Sequence, residues 1–255
     1  MGKTEDRYIV PGLARGLEVL QAFSPSHPSL SLAELAARLG TTRSALFRVT
    51  HTLVSLGFLS QDAGRQRFSP GPALLRLGHG SGAARPLVEA ALPALEALRD
   101  TTLWSAHLGV LEGREVVYLL RLPQRQGQPA IVQVGSRLPA HATAMGRVLL
   151  AGLEEGALLD LYRDAALPRI SPRAPTSPAG LLAQARRDAR RGHVLHLGDF
   201  ESRIASIAAG VAGRDRRVLA AISITAALPE AERPESRIAP LLDTAARIAA
   251  TLRAA

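Results

Sequence analysis

Apolar residues Leu32, Leu35, Ala36 and Leu39 recur at the three-and-four spacing that gathers one stripe on an α-helix. Ser31 precedes them and Glu34 follows three places on, the reciprocal pair in which serine accepts from a first-turn amide while glutamate reaches back. Gly40 ends this helix because glycine tolerates the left-handed backbone of a tight turn. Thr42 then caps a second helix running to about Leu56. At about 100° per residue, Leu46, Val49, Leu53 and Leu56 fall on one side of it, and Arg43, Ser44, Phe47, Arg48 and His51 fall nearly opposite. That second face carries two arginines able to grip phosphate or guanine, and an aromatic ring that a merely solvated face does not need. Small Ala36, the Gly40 turn, and Leu46 with Val49 sealing the second helix onto the first make the helix-turn-helix spacing. A helical hairpin inside a larger core is the alternative, and the agreement of caps, turn and polar face argues against it.

Upstream, Leu13, Leu17, Leu20 and Phe23 predict a supporting helix with its own buried stripe. Downstream, residues 57–60 and 66–68 flank a turn at Asp62-Ala63-Gly64 and read as a short hairpin. Three helices and a two-stranded ribbon make a winged helix. Arg65, at the ribbon's tip, is placed either to probe a groove or phosphate or to be a plain exposed charge.

The glycines of 78–83 match the loose dinucleotide-binding fingerprint. They follow a helical segment rather than a strand, so a joint between domains accounts for them better. A helix over 84–101 follows, whose Leu87, Ala91, Leu95 and Leu98 form an apolar face for the core or for a partner subunit. From Leu103 the period becomes alternating, which predicts strands over 103–111 and 115–122 joined around Gly113, a loop over 123–129 and a strand over 131–134. Helices are expected over 142–151, 154–162 and 178–191, strands over 193–197, 205–211 and 217–225, and a final helix over 235–253. Helices interspersed with hairpin-linked strands indicate an α+β domain on an antiparallel sheet.

The last two strands differ on their two faces. With Arg214 and Asp215 as a two-residue turn, Ser206 lies opposite Ser223 and Ala208 opposite Ala221, with Gly210 and Thr225 near either end. The other face carries Ile207, Val211, Ile222 and Ile224. Helices cover the large apolar face. Two readings of the small, hydroxyl-bearing face are open: a cavity for a small polar molecule, or a surface on which a helix lies close.

Charge and composition narrow the function. The 255 residues hold 31 basic and 22 acidic side chains, 30 of the basic ones arginine, for a net +9. The first 80 residues carry 9 basic and 5 acidic groups, about twice the positive density of the remainder, which fits a nucleic-acid-binding domain joined to a larger domain of another purpose. The absence of cysteine excludes disulfides, thiolate metal sites and a cysteine nucleophile. Met1-Gly2 opens the chain, but Asp6 stands where a myristoylation signal needs Ser or Thr. The amino terminus has no signal-peptide core, and no stretch free of charge and proline, 218–228 among them, is long enough to span a bilayer. A soluble cytoplasmic protein without membrane contact is expected. No nucleophile elbow, phosphate loop or zinc-binding helix is present, so neither catalysis nor a cofactor is expected. His193 and His196 stand three apart on a strand and point to opposite faces, which argues against joint metal binding; His107 and His141 read as structural.

These residues resemble the IclR family of bacterial transcription regulators over nearly the whole chain. The resemblance rests on the run Gly12 to Leu20, on the helix-turn-helix ending Gly57-Phe58-Leu59, on the run Gly135 to Arg147 and on Ala220 to Thr225. The amino-terminal portion looks most like the branch that regulates aromatic-acid catabolism. The resemblance implies a winged-helix DNA-binding domain (1–80), a linker helix (81–101) and a GAF-like effector-binding domain (102–255), acting as homodimers or as dimers of dimers on operator DNA. DNA contacts are expected at Thr42, Arg43, Ser44, Phe47, Arg48, His51 and Arg65. Carried over by position, the effector site would use Thr143, Ala144, Met145 and Gly146 with Asp199, Ser206, Gly210, Ser223 and Thr225. Free amides at a helix amino terminus suit a carboxylate, so a small organic acid is the expected ligand. Arg203 and Gly210 stand where many members have Gly and Pro, and Ser206 where some have Cys. Two rivals stay open: a structural DNA-binding protein whose carboxy-terminal domain only oligomerises, and an enzyme fused to a winged helix.

Overall fold

The reciprocal cap at Ser31 forms as its residues dictate: Glu34 N–H donates to the Ser31 hydroxyl at 3.3 Å and Ser31 N–H to the Glu34 carboxylate at 2.7 Å. These bonds belong to a computed structural model that describes residues 8–24, 26–62, 64, 66–80, 85–125, 132–171, 174–215, 217–228, 231 and 233–254. Arg65, Ala63, Ile131 and the glycine joint's 81–83 lie outside the described residues. The chain divides into two units, Met1–Gly82 and Ala83–Ala255.

In the first unit, α1 (Pro11–Gln21), α2 (Leu32–Arg38) and α3 (Arg43–Ser55) precede a sheet of β1 (Leu30–Ser31), β3 (Arg67–Pro70) and β2 (Leu59–Asp62), in that order. Gly40 adopts φ +59 in the turn between α2 and α3, and the Thr42 side chain caps α3 by accepting from Ala45 N–H at 3.2 Å. The ribbon gains a third strand that the pattern does not announce, because Leu30 and Ser31 pair with Phe68 and Arg67 just before the cap. Arg67 ties that strand down, donating to the Ser29 hydroxyl and carbonyl and pairing with Glu34 at 3.0 Å. Leu35, Leu46, Leu59, Phe68 and Val19 form the core. The stripe expected to bury α1 is a correction: Val19 is fully buried, whereas Leu13 and Leu17 are 64% and 52% exposed. Leu56 is likewise exposed, and Thr50 takes the buried position in α3 by bonding its hydroxyl back to the Leu46 and Phe47 carbonyls. Helix α4 (Ala73–Gly80) ends the unit.

The second unit begins with α5 (Arg85–Thr102), then β4 (Ser105–Glu112), β5 (Glu115–Leu122), β6 (Arg137–Pro139), α6 (Ala144–Ala151), α7 (Glu155–Tyr162), α8 (Pro178–Arg191), β7 (His193–Leu197), β8 (Ile204–Ala212), β9 (Val218–Ala227) and α9 (Ile238–Ala254). The antiparallel sheet runs β6-β5-β4-β9-β8-β7. On one face Leu108, Ile207, Ile222 and Ile224 pack with Leu87, Ala91, Leu95 and Leu98 of α5 and Leu241 and Ile248 of α9. The opposite face, with Val116, Val194, Ala208 and Ala221, packs with Met145, Val148 and Leu149 of α6 and Leu181 of α8. Among the described residues no helix is long and apolar enough to cross a membrane.

Four boundaries differ from the pattern, each for a local reason. The strand expected from Leu103 starts at Ser105, because Leu103 takes φ +61 and ends α5. Residues 132–134 are loop and turn rather than strand: Gln133 N–H donates to the Ser136 hydroxyl, Gly135 sits at φ +85, and the strand that pairs with β5 is β6. The last helix begins at Ile238, after a 3-10 turn over Pro234–Arg237. The β8–β9 connection is longer than a two-residue turn, since Arg217 N–H folds back onto the Asp215 carboxylate at 3.0 Å and Gly213 N–H onto the Arg217 carbonyl at 2.8 Å. Ser206 therefore faces Thr225 and Ala208 faces Ser223, a shift of two that preserves which side chains share a face.

Candidate effector cavity and nucleic-acid interface

Two kinds of row make up the small-residue face of the sheet, and they do different things. Gly109, Ala208, Gly210 and Ala221 seat α6: a Cβ on Gly210 would lie 3.3 Å from Val148 and one on Gly109 3.3 Å from Met145. Beyond the amino terminus of α6, the next rows carry His107 opposite Ser223, and Thr225 opposite Ser206, which in turn faces His196. With the helix set back, these side chains border a cavity of about 80 Å³. Thr143, Ala144 and Met145 close it from the helix, and Tyr118, Val132, Leu138, Phe200, Glu201 and Ile204 complete its wall.

Thr143 caps α6, its hydroxyl accepting from Gly146 N–H at 3.1 Å. The Ala144 and Met145 amides, at the first turn, have no carbonyl one turn back within the helix to bond. They leave partial positive charge at the cavity, a seat suited to an anion. Gly146 does not line the cavity. Its part is packing, since a Cβ there would stand 2.2 Å from the Ala140 carbonyl oxygen. Gly210 seats α6 as described, and Asp199 lies outside the lining, its carboxylate accepting from Leu197 N–H at 3.2 Å.

Two histidines that pattern alone reads as structural or unpaired line the cavity. His107 is 3% exposed; its Nε2 bonds Thr225 Oγ1 at 3.0 Å and its Nδ1 has no partner. Burial, with the Arg121 charge adding to it, pushes this imidazole down to about 4, so it is neutral at physiological pH. His196 Nε2 lies 2.9 Å from Arg147 Nη1. A guanidinium can only donate, so Nε2 accepts, and the ring proton sits on Nδ1. The Tyr118 hydroxyl, pushed up to about 12 by burial and by the Glu201 carboxylate, stays protonated. Strand parity could have flagged His107 and His196, which share the face of Ser206 and Ser223; that strand β4 pairs with β9 is tertiary information.

In the first unit, Thr42, Arg43, Ser44, Phe47, Arg48 and His51 are all exposed on α3. Phe47 is 61% exposed and its ring lies 6.4 Å from that of His51. Arg48 also borders an apolar groove of about 720 Å³ between α1 and α3, walled by Leu13, Leu17, Leu20, Val49, Leu53 and Leu77.

The IclR helix-turn-helix domain matches residues 12–63, and the carboxy-terminal domain of the bacterial transcriptional regulator IclR matches residues 82–250. The chain is 31% identical over 247 residues to the Pca regulon regulatory protein of Pseudomonas putida, covering 96% of this chain and 84% of that one. It is 33% identical over 175 residues to the p-hydroxybenzoate hydroxylase transcriptional activator of Acinetobacter baylyi, covering 67% and 63% of the two chains. The crystal structure of an IclR homolog from Microbacterium hydrocarbonoxydans complexed with 4-hydroxybenzoate superposes with a TM-score of 0.83 at 27% identity, covering 96% of this chain and all of that one. With both domains matched in order, the fold shared end to end and a relative above 30% identity, this chain belongs to the IclR family of bacterial transcriptional regulators.

Proposed function

We infer that the protein regulates transcription by gripping operator DNA with the exposed face of α3 and changing that grip when a small carboxylic acid occupies the cavity at the amino terminus of α6. The observation that carries this reading is the cavity itself, where two helix amides without intrahelical acceptors meet the hydroxyl-bearing strand residues Ser206, Ser223 and Thr225. A carboxylate takes the amides and the hydroxyls take the rest of the ligand. A domain that only oligomerises has no use for such a cavity, and relatives that are regulators argue against catalysis. The neighbour complexed with 4-hydroxybenzoate makes that acid the first probe.

The proposed assembly is built from homodimers, as a single pair or as a dimer of dimers. The groove between α1 and α3, together with Tyr8, Ile9 and Val10 exposed at 76%, 59% and 62%, gives one unit both an apolar cleft and an apolar ridge, the self-complementary surface that a two-fold pair requires. Calorimetric titration with 4-hydroxybenzoate and a panel of other monocarboxylates tests the ligand reading. Binding by at least one acid that is lost in Ser223→Leu supports it, and equal binding by wild type and variant overturns it.

A further inference from the structure

Glu201 carries the sole ionised side chain among the described residues that line the cavity; neither lysine nor arginine borders it. Two guanidiniums stand behind the wall: Arg121 lies across the strands from His107 but outside the lining, and Arg147 is already committed, bonding both Asp188 carboxylate oxygens at 2.8 and 2.6 Å and donating its third contact to His196. That third contact keeps His196 Nε2 unprotonated, so this histidine offers no positive charge either. His107 is buried and neutral, and its Nδ1 is buried without a hydrogen-bond partner. The helix amides thus provide one seat for negative charge, while the remaining wall presents uncharged donors and acceptors beside a carboxylate.

We propose that the cavity selects acids by charge, admitting monocarboxylates whose far end is uncharged and hydrogen-bonding, such as a hydroxyl, and rejecting dicarboxylates of the same shape. This rests on the acid seat inferred above and adds what the rest of the wall accepts. A second carboxylate would meet Glu201 with no lysine or arginine in the lining to offset it, and like charges that close repel. A hydroxyl in its place can bond the hydroxyls of the wall, those of Ser206, Ser223 and Thr225. Size adds a second restriction. A dry cavity of about 150 Å³ holds a benzene ring, whereas this one measures about 80 Å³, so an aromatic acid must displace wall side chains such as Phe200 or Val132, and a short aliphatic hydroxy acid need not.

The test uses matched pairs on the full-length protein: 4-hydroxybenzoate against terephthalate, and 4-hydroxybutyrate against succinate, by calorimetry at pH 7.5. In at least one pair the hydroxy acid is expected to bind at least about 100-fold more tightly than its dicarboxylate partner. Glu201→Gln should narrow that gap about tenfold or more, improving the dicarboxylate more than its hydroxy-acid partner. Dicarboxylates that match or exceed their partners in wild type overturn charge selection and leave the acid seat standing. A gap that Glu201→Gln does not alter overturns the role of Glu201 and with it the proposal. If none of the four binds, and no other monocarboxylate of the panel does, the acid seat itself falls, and the selection built on it falls too.

Discussion

The guanidinium of Arg147 on α6 clasps the Asp188 carboxylate on α8 through two hydrogen bonds, 2.8 Å from Nε and 2.6 Å from Nη2, with the two side chains only 16% and 2% exposed. Removing one partner from a buried pair leaves the other charge without compensation, which costs about 3–5 kcal/mol. Asp188→Asn is therefore expected to lower stability by that order in urea unfolding. An apolar double replacement, Arg147→Met with Asp188→Leu, should recover most of it. A loss below about 1 kcal/mol in the single variant would show that the clasp does not hold α6 in place.

Acid should weaken the second unit through His107. Its folded-state value of about 4 lies below the ordinary 6.5, so the unfolded chain binds the proton first. The stabilisation is fully present above pH 6.5 and is lost as the pH falls toward 4, to a total on the order of 3 kcal/mol. His141, also lowered by burial, acts in the same direction. His107→Gln should flatten the pH dependence of unfolding between pH 6.5 and 4 relative to wild type, and an unchanged slope would contradict the assignment.

Arg43 and Arg48 stand exposed on α3, away from the core. Replacing either with Ala should weaken operator binding by about 1–3 kcal/mol if it reads a base, with little change in melting temperature. A contact to phosphate alone would instead give a uniform loss across sequences and a shallower salt slope. Wild-type affinity in both variants, on an operator recovered by selection from random DNA, would remove α3 from the interface.

The apolar wall of the α1–α3 groove predicts the assembly. Leu17, 52% exposed on that wall, meets a second copy in the proposed dimer. Leu17→Asp is expected to shift the protein toward monomer in light scattering and to weaken binding to paired half-sites, while unfolding stability changes by less than about 1 kcal/mol. A dimer undisturbed by this change would put the contact elsewhere.

Local chemistry made much of this fold legible. The Ser31 and Glu34 cap, the Gly40 turn and the Thr42 cap each act within a few residues, and the helix-turn-helix follows from them. The helix expected over 178–191 forms over Pro178–Arg191, where Ser177 caps it, Pro178 stands in the first turn and Gly192 at φ +71 stops it. What pattern could not supply was which strands become neighbours. Ser206, Ser223 and Thr225 share a face by parity alone, but His107 joins them only because β4 pairs with β9. The small-residue face divides row by row: Gly210 and Ala221 seat a helix, while Ser223 and Thr225 border a cavity. The α1 stripe misled for a related reason, since apolar spacing marks a face that avoids water without saying whether the chain itself covers it.

Operator affinity measured with and without saturating acid, in wild type and in Ser223→Leu, tests the coupling between cavity and DNA most directly. Ser223 is 2% exposed at the cavity, so leucine fills the space and removes a hydroxyl while leaving α3 untouched. An effector acts only through its different affinities for two states, and such couplings amount to about 5- to 150-fold in affinity. The account predicts a shift of that size in wild type with the first acid of the panel that binds, and in Ser223→Leu the ligand-free DNA affinity of wild type with no shift on adding the acid. An equal shift in the variant, or an acid that binds the cavity and leaves operator affinity unchanged, would contradict it.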